Sequence, residues 1–175
     1  MIGAGPTGLT AALALGASGI DAAILAPAFD PARVEADRRT TALLPSSIEL
    51  LKNLGVWEHC QAQSALLKGV RIVDDRGGLL RAPEVLFKAG ELGLPHFGAN
   101  VANSTLNAAL WARAKAADGP RWLPTSAVVK VSPGDEHVTL ELAEGSTFAA
   151  TLAVARHICA PVGEKNDGRR QTLTP

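Results

Sequence analysis

Three glycines near the start of the chain carry the spacing Gly3-x-Gly5-x-x-Gly8. Each position has its own physical reason. The first glycine permits a tight turn out of a strand. The second lets backbone approach a pyrophosphate with no Cβ in the way. The third lets a helix and a strand pack closely. A helix opening there offers free N–H groups and the positive end of its dipole to phosphates. Residues Gly3, Ala4, Gly5, Pro6, Thr7 and Gly8 are therefore the candidate cofactor-binding stretch.

Such a triplet is weak alone and gains weight from its surroundings. Met1-Ile2 reads as the last step of a strand. Leu9 to Ala17 holds good helix formers, with Gly19 to stop them. Ile20 to Leu25 reads as a second, buried strand ended by Pro27. Strand, turn, helix and strand make the opening of a βαβ unit. A glycine-rich loop that opens a buried helix without any ligand fits this context less well.

Two checks use the same residues. Gly3 to Thr10 also spans a near-miss P-loop, but Leu9 stands where a lysine must reach the β- and γ-phosphates. Dinucleotide folds usually place an acidic residue at the end of the second strand for the ribose hydroxyls. Ala26 stands there, with Asp30 and Glu35 following in a loop. A loop residue or backbone serves the ribose, or its binding is weakened.

The elements beyond this start are less regular. Ala28 to Leu43 is polar and charged, a loop or an extended segment. Ser46 or Ser47 can cap a helix over Ile48 to Leu54, stopped by Gly55. Val70 to Val73 reads as a strand turned by residues 75–78, and Pro83 to Ala99 is weakly periodic. Ser104 can cap a helix over Thr105 to Ala116, ended by Asp118-Gly119. The period then changes to two. Val138, Leu140 and Leu142 alternate, as do Phe148, Ala150, Leu152 and Val154. An antiparallel meander following a βα start is expected.

Composition narrows the function. The chain has 175 residues, room for one domain or one and a fragment. Lysine plus arginine number 17, matched by 17 acidic residues, so no overall positive field attracts nucleic acid. Aromatics are 4% with no tyrosine, too few for stacking platforms along single strands. At 47% hydrophobic, the chain can bury a core. Cys60 and Cys159 cannot form a disulfide framework, which points to a soluble intracellular protein. The apolar first 19 residues lack a basic leader, and Gly16, Gly19 and Asp21 interrupt any membrane span.

Other candidate sites are weaker. His59-Cys60 and His157-x-Cys159 lack metal-ligand spacing, so no metal is expected. Asp74-Asp75 before Arg76 fits a hairpin turn, and no GxSxG nucleophile elbow occurs. No catalytic residue is assigned.

Three stretches together resemble the N-terminal part of the FAD-dependent aromatic-ring hydroxylases of ubiquinone biosynthesis, a group of flavoprotein monooxygenases. They are Gly3-Ala-Gly-Pro-Thr-Gly-Leu9, Asp37-Arg-Arg-Thr-Thr-Ala-Leu43 leading into 46–57, and Phe97-Gly-Ala-Asn-Val-Ala-Asn-Ser-Thr-Leu106. The resemblance covers roughly residues 1–155. It implies an α/β fold with a Rossmann-like FAD-binding βαβ start and an antiparallel meander. It also implies FAD as cofactor, NAD(P)H as reductant and hydroxylation of a small aromatic substrate, with a polyprenylated phenol as one candidate. Gly3, Gly5 and Gly8 with the intervening backbone would hold the pyrophosphate, and Arg39 would be the flavin-side arginine. Read without the resemblance, Arg39 is a solvated loop charge. The expected location is cytoplasmic, with peripheral attachment to the inner membrane as an option.

The departures are specific. Members carry strand residues before the first glycine, often an acid at Ala26, and an Asp-Gly motif soon after the strand matching 151–155. Here Asp167-Gly168 comes only later, in a polar tail, and takes no assigned role. The expected organisation is an FAD-binding region over 1–155, with a substrate-side insertion at about 65–100, then an irregular tail over 156–175. The chain thus reads as a truncated α/β flavoprotein. Two alternatives remain: an NAD(P)-binding Rossmann domain of a dehydrogenase, and a truncated FAD-binding fragment without catalysis.

Overall fold

The computed structural model describes residues 1–74, 83–116, 120–155 and the backbone of 171–172. The expected turn at 75–78, the stop at Asp118-Gly119, His157, Cys159 and the Asp167-Gly168 pair lie outside the described residues. The chain divides into two compact units, 1–31 with 110–175, and 32–109.

The first unit is α/β. Helix α1 (Pro6–Ala17) is apolar nearly all round and buries Leu9, Ala12 and Leu13, which share one face at i, i+3, i+4 spacing. It begins at Pro6 rather than at Leu9, because a proline at the first position has its φ preset and lacks only an N–H that would be unpaired anyway. At the other end Gly19 adopts φ +75, and Ile20 N–H bonds to Leu15 O at 3.0 Å. This cap holds Ile20 out at 53% exposure, so strand β1 is Ala23–Ala26, shorter than the expected Ile20–Leu25.

Ile2 bridges in parallel to Leu25 on one side and to Ala155 on the other. Strand β1 pairs in parallel with β7 (Arg121–Pro124), Ile24 opposite Trp122. Parallel neighbours need a crossover, and α1 supplies the one from Ile2 to β1. Strands β8 (Val128–Pro133), β9 (Val138–Leu142) and β10 (Thr147–Ala150) follow, each antiparallel to the next. Leu25, Val128, Leu140 and Leu142 form a buried cluster between the parallel and antiparallel strands. The alternation expected through Leu152 and Val154 ends at Ala150, and Leu152 is 71% exposed. There the chain leaves β9 and turns to pair with Ile2, whose N–H bonds to Val154 O. Within the tail expected to be irregular, β11 (Gln171–Thr172) pairs with β8.

Between the two units' cores in sequence comes α2 (Pro31–Glu35), in a stretch expected to be loop or extended. In the second unit, β2 (Thr40–Leu43), β3 (Ser64–Leu66) and β6 (Ala99–Ala102) form an antiparallel sheet with β6 central. Helix α3 (Pro45–Asn53) buries Ile48 and Leu51. Its N-cap is Leu44, not Ser46 or Ser47, because Pro45 at the first position starts the helix earlier. Strands β4 (Gly69–Ile72) and β5 (Val85–Lys88) form an antiparallel ribbon. Helix α4 (Asn103–Ala114) likewise starts ahead of its expected cap, leaving Ser104 in the first turn.

Candidate FAD-binding site

The glycine turn is fixed by backbone on both sides. Gly3 N–H bonds to Leu25 O at 2.8 Å, and Leu25 N–H bonds to Met1 O at 2.9 Å. Gly3 has φ +95, a conformation that costs a side-chain-bearing residue. A Cβ on Gly8 would lie 2.2 Å from the Gly3 carbonyl oxygen, so the first turn of α1 rests on the chain that enters it. Gly5 is the N-cap of α1 in extended conformation, and a Cβ there would meet nothing within 4 Å. Space is thus left open at the second glycine, the position where a pyrophosphate comes closest to backbone.

The helix end beside that space is chemically free. The first intrahelical bond runs from Leu9 N–H to Gly5 O at 3.0 Å. Thr7 and Gly8 precede it, no side chain caps the end, and no acid lies in the first turn. Unpaired N–H groups and the positive dipole end favour an anion there. Ala4, Pro6 and Thr7 complete the turn between the glycines. Together these residues fit the diphosphate of a dinucleotide.

Ala26 ends β1 opposite Pro124, and its carbonyl accepts from Thr125 N–H at 3.2 Å. Thr125 is the buried polar residue at this end of the strands. Its hydroxyl lies 3.0 Å from Ala127 O and 2.9 Å from Glu144 Oε2. Of the loop acids, Asp30 precedes α2 and Glu35 is its last residue.

Arg39 belongs to the second unit, just ahead of β2. Its Nε and Nη2 donate to Asp37 Oδ1 and Oδ2 at 2.9 and 2.8 Å, a bidentate pair. Its backbone N–H donates to Asp37 Oδ1 at 3.0 Å. Asn103 Nδ2 donates to Asp37 Oδ2 at 3.2 Å, and Thr41 donates to Asn103 Oδ1 at 2.6 Å. The Arg39 side-chain hydrogen bonds, then its backbone N–H and Asn103, hold the Asp37 carboxyl well below the usual carboxylate range. Asp37 in turn raises the Arg39 guanidinium. The Arg39 side chain is nevertheless 81% exposed. It is an oriented cation facing solvent, neither a loose loop charge nor a buried pair. The sequence reading gave Asp37, Thr41 and Asn103 no role. Asp37 two positions before Arg39 was a usable signal, whereas the Asn103 contact spans 66 positions.

Cys60 is buried, and burial pushes its thiol up. His59 ends the short 3-10 turn Trp57–His59. Among the described residues, no three His, Cys, Asp or Glu side chains are placed to hold a metal ion.

The family model described as FAD binding domain matches residues 1–155. The chain is 30% identical over 157 residues to the 3-demethoxyubiquinol 3-hydroxylase of Escherichia coli (strain K12), covering 88% of this chain and 39% of that protein. Among solved structures, the tetrameric form of 2-methyl-3-hydroxypyridine-5-carboxylic acid oxygenase matches with TM-score 0.57 and 22% identity. It covers 85% of this chain and 36% of that one. The p-nitrophenol 4-monooxygenase of Pseudomonas putida DLL-E4 matches with TM-score 0.58 and 18% identity, over 86% and 37%. These structural likenesses establish the fold, and the chain spans well under half the length of each relative. By the match of the family model over nearly its whole described length, the chain belongs to the FAD binding domain family, with FAD as its cofactor.

Proposed function

We propose that this chain is the FAD-holding part of an NAD(P)H-dependent aromatic-ring hydroxylase, of the kind that acts in ubiquinone-type biosynthesis. The observation that carries the reading is the glycine turn, with open space at Gly5 beside an uncapped helix end. The 30% identity to a demethoxyubiquinol hydroxylase supports the choice of reaction. Bound FAD supplies the redox and oxygen chemistry, and the protein binds, orients and shields it.

Within this reading, the backbone of Gly3, Ala4, Gly5, Pro6, Thr7 and Gly8 holds the diphosphate. Arg39, already oriented by Asp37, presents its cation to phosphate or ribose on the flavin side. Residues 1–155 are the FAD-binding region, and about 65–100 belong to its substrate side, in a Rossmann-like fold with its meander. The substrate is a small aromatic ring, with a polyprenylated phenol as the form suited to ubiquinone. No helix among the described residues is long and apolar enough to cross a membrane. A cytoplasmic place with peripheral contact to the inner membrane belongs to the same proposal.

The test is direct. The purified chain, supplied with FAD and passed through a desalting column, should show a bound-flavin absorption spectrum. NADPH oxidation with added FAD and a phenolic substrate then separates a hydroxylase from an inert FAD binder. A colourless chain that refuses added FAD would overturn the reading.

A further inference from the structure

The end of β1 lacks the side chain that one part of a dinucleotide ordinarily meets. The end of β1 is where an acidic side chain ordinarily takes the adenosine ribose hydroxyls, and here that residue is Ala26. A methyl group cannot accept a hydrogen bond. The structure brings another carboxylate to the same end of the strands.

The turn between β9 and β10 holds it. Ala143 N–H bonds to Ala127 O at 3.0 Å, and Gly145, with φ +86, donates its N–H to Leu142 O at 2.9 Å. The first bond ties the turn to the stretch that follows β7, and the second closes the turn on itself. From it Glu144 reaches Thr125, with Oε2 2.9 Å from the hydroxyl. Thr125 is itself fixed to Ala26 by the 3.2 Å bond from its N–H to the Ala26 carbonyl. Buried Thr125 therefore links the end of β1 to the Glu144 carboxylate through two hydrogen bonds. Ser146 Oγ lies 3.4 Å from Oε1. Glu144 is exposed, so its lone pairs remain accessible to a ligand.

We propose that Glu144 is the ribose-recognising carboxylate of this FAD site, supplied from the meander turn in place of a residue at position 26. Thr125 is its positioning residue. This rests on the FAD reading above and adds to it a specificity-determining group. A carboxylate accepts hydrogen bonds from the 2′- and 3′-hydroxyls, and a site built that way rejects analogues lacking them. Its recruitment across the sequence answers why Ala26 is tolerated.

The experiment measures FAD affinity by quenching of flavin fluorescence, with ADP, 2′-deoxy-ADP and 3′-deoxy-ADP as competitors. Wild-type chain, Glu144→Gln, Glu144→Ala and Gly5→Val are compared, with folding followed by circular dichroism and Tm. Wild type should prefer ADP over at least one deoxy analogue by about tenfold, the size expected when a polar site loses its partner. Glu144→Gln and Glu144→Ala should weaken FAD and ADP by a similar factor and remove that preference, with Tm unchanged. Thr125→Val should reduce the preference in part. Unchanged preference in both Glu144 variants would overturn the proposal while leaving the FAD reading intact. Equal binding of ADP and both deoxy analogues by wild type would do the same. Failure of wild type to bind FAD or ADP, or unchanged affinity in Gly5→Val, would overturn the diphosphate site itself and the proposal with it.

Discussion

Residues 3–8 build their turn from neighbours in sequence, with Gly8 packed against the Gly3 carbonyl and Leu9 bonded to Gly5. The Asp37–Arg39 pair in the other unit is completed from a distance, by Asn103 and through it Thr41, contacts that span 66 and 62 positions. The first arrangement is backbone against backbone. Its geometry is set by the absence of side chains, and an atom added at Gly8 has nowhere to go. The second is chiefly side chain against side chain, half-buried around Asp37 and Asn103 and exposed at Arg39, where water can replace a partner. The first arrangement is rigid and the second adaptable.

Breaking the rigid contact should have the largest effect. Gly8→Val sets a Cβ against the backbone oxygen of Gly3, which cannot rotate away. A loss of about 3 kcal/mol or more is expected, seen as a lower urea midpoint with an unchanged slope. A variant as stable as wild type would show that the turn is less rigid than its contacts imply.

Gly5→Val separates folding from binding within the same turn. A Cβ there meets nothing, so stability should change by less than about 1 kcal/mol. FAD affinity should fall by at least about tenfold, because the side chain fills the space left for diphosphate. Equal losses at Gly5 and Gly8 in stability would erase the distinction between packing glycine and ligand glycine.

Arg39→Ala tests the adaptable contact. The side chain is 81% exposed, so Tm should hardly move. FAD affinity should fall several-fold, and the loss should shrink in high salt as exposed charges are screened. An effect on Tm as large as that of Gly8→Val would make the cluster structural.

The smallest effect belongs to acid pH. Asp37 has its carboxyl depressed in the folded chain, chiefly by the Arg39 side chain. A depressed carboxyl contributes stability that is fully present above the ordinary value of about 3.9. That contribution is lost as pH falls below that value, because the unfolded chain takes up the proton first. The Tm difference between wild type and Asp37→Asn should therefore be constant near neutrality and narrow below about pH 4. A gap that persists unchanged to pH 2 would rule out the paired state as its source.

Legibility follows the same division. Helix α1, the alternation of β9 and the βαβ opening could be read because local period and glycine punctuation agree with the final packing. The β2–β6–β3 sheet could not. Its strands are three or four residues long, and Thr40 pairs with Ala102 across most of a unit. Ser46, Ser47 and Ser104 do not cap, because Pro45 and Asn103 begin their helices earlier. Strand β10 ends at Ala150, short of its alternating pattern, because pairing of Ala155 with Ile2 competes with that pattern.

The sequence by itself determined the glycine turn, since missing Cβ atoms act within a few residues and need no distant partner. It also marked Arg39 as a candidate and Ala26 as a gap. Only the tertiary structure decided how Arg39 is oriented and that Thr125 links Ala26 to the Glu144 carboxylate. Both depend on residues brought together by strand pairing, Asn103 through β6 and Glu144 through the meander. Side-chain partnerships of that kind leave no period or spacing along the chain.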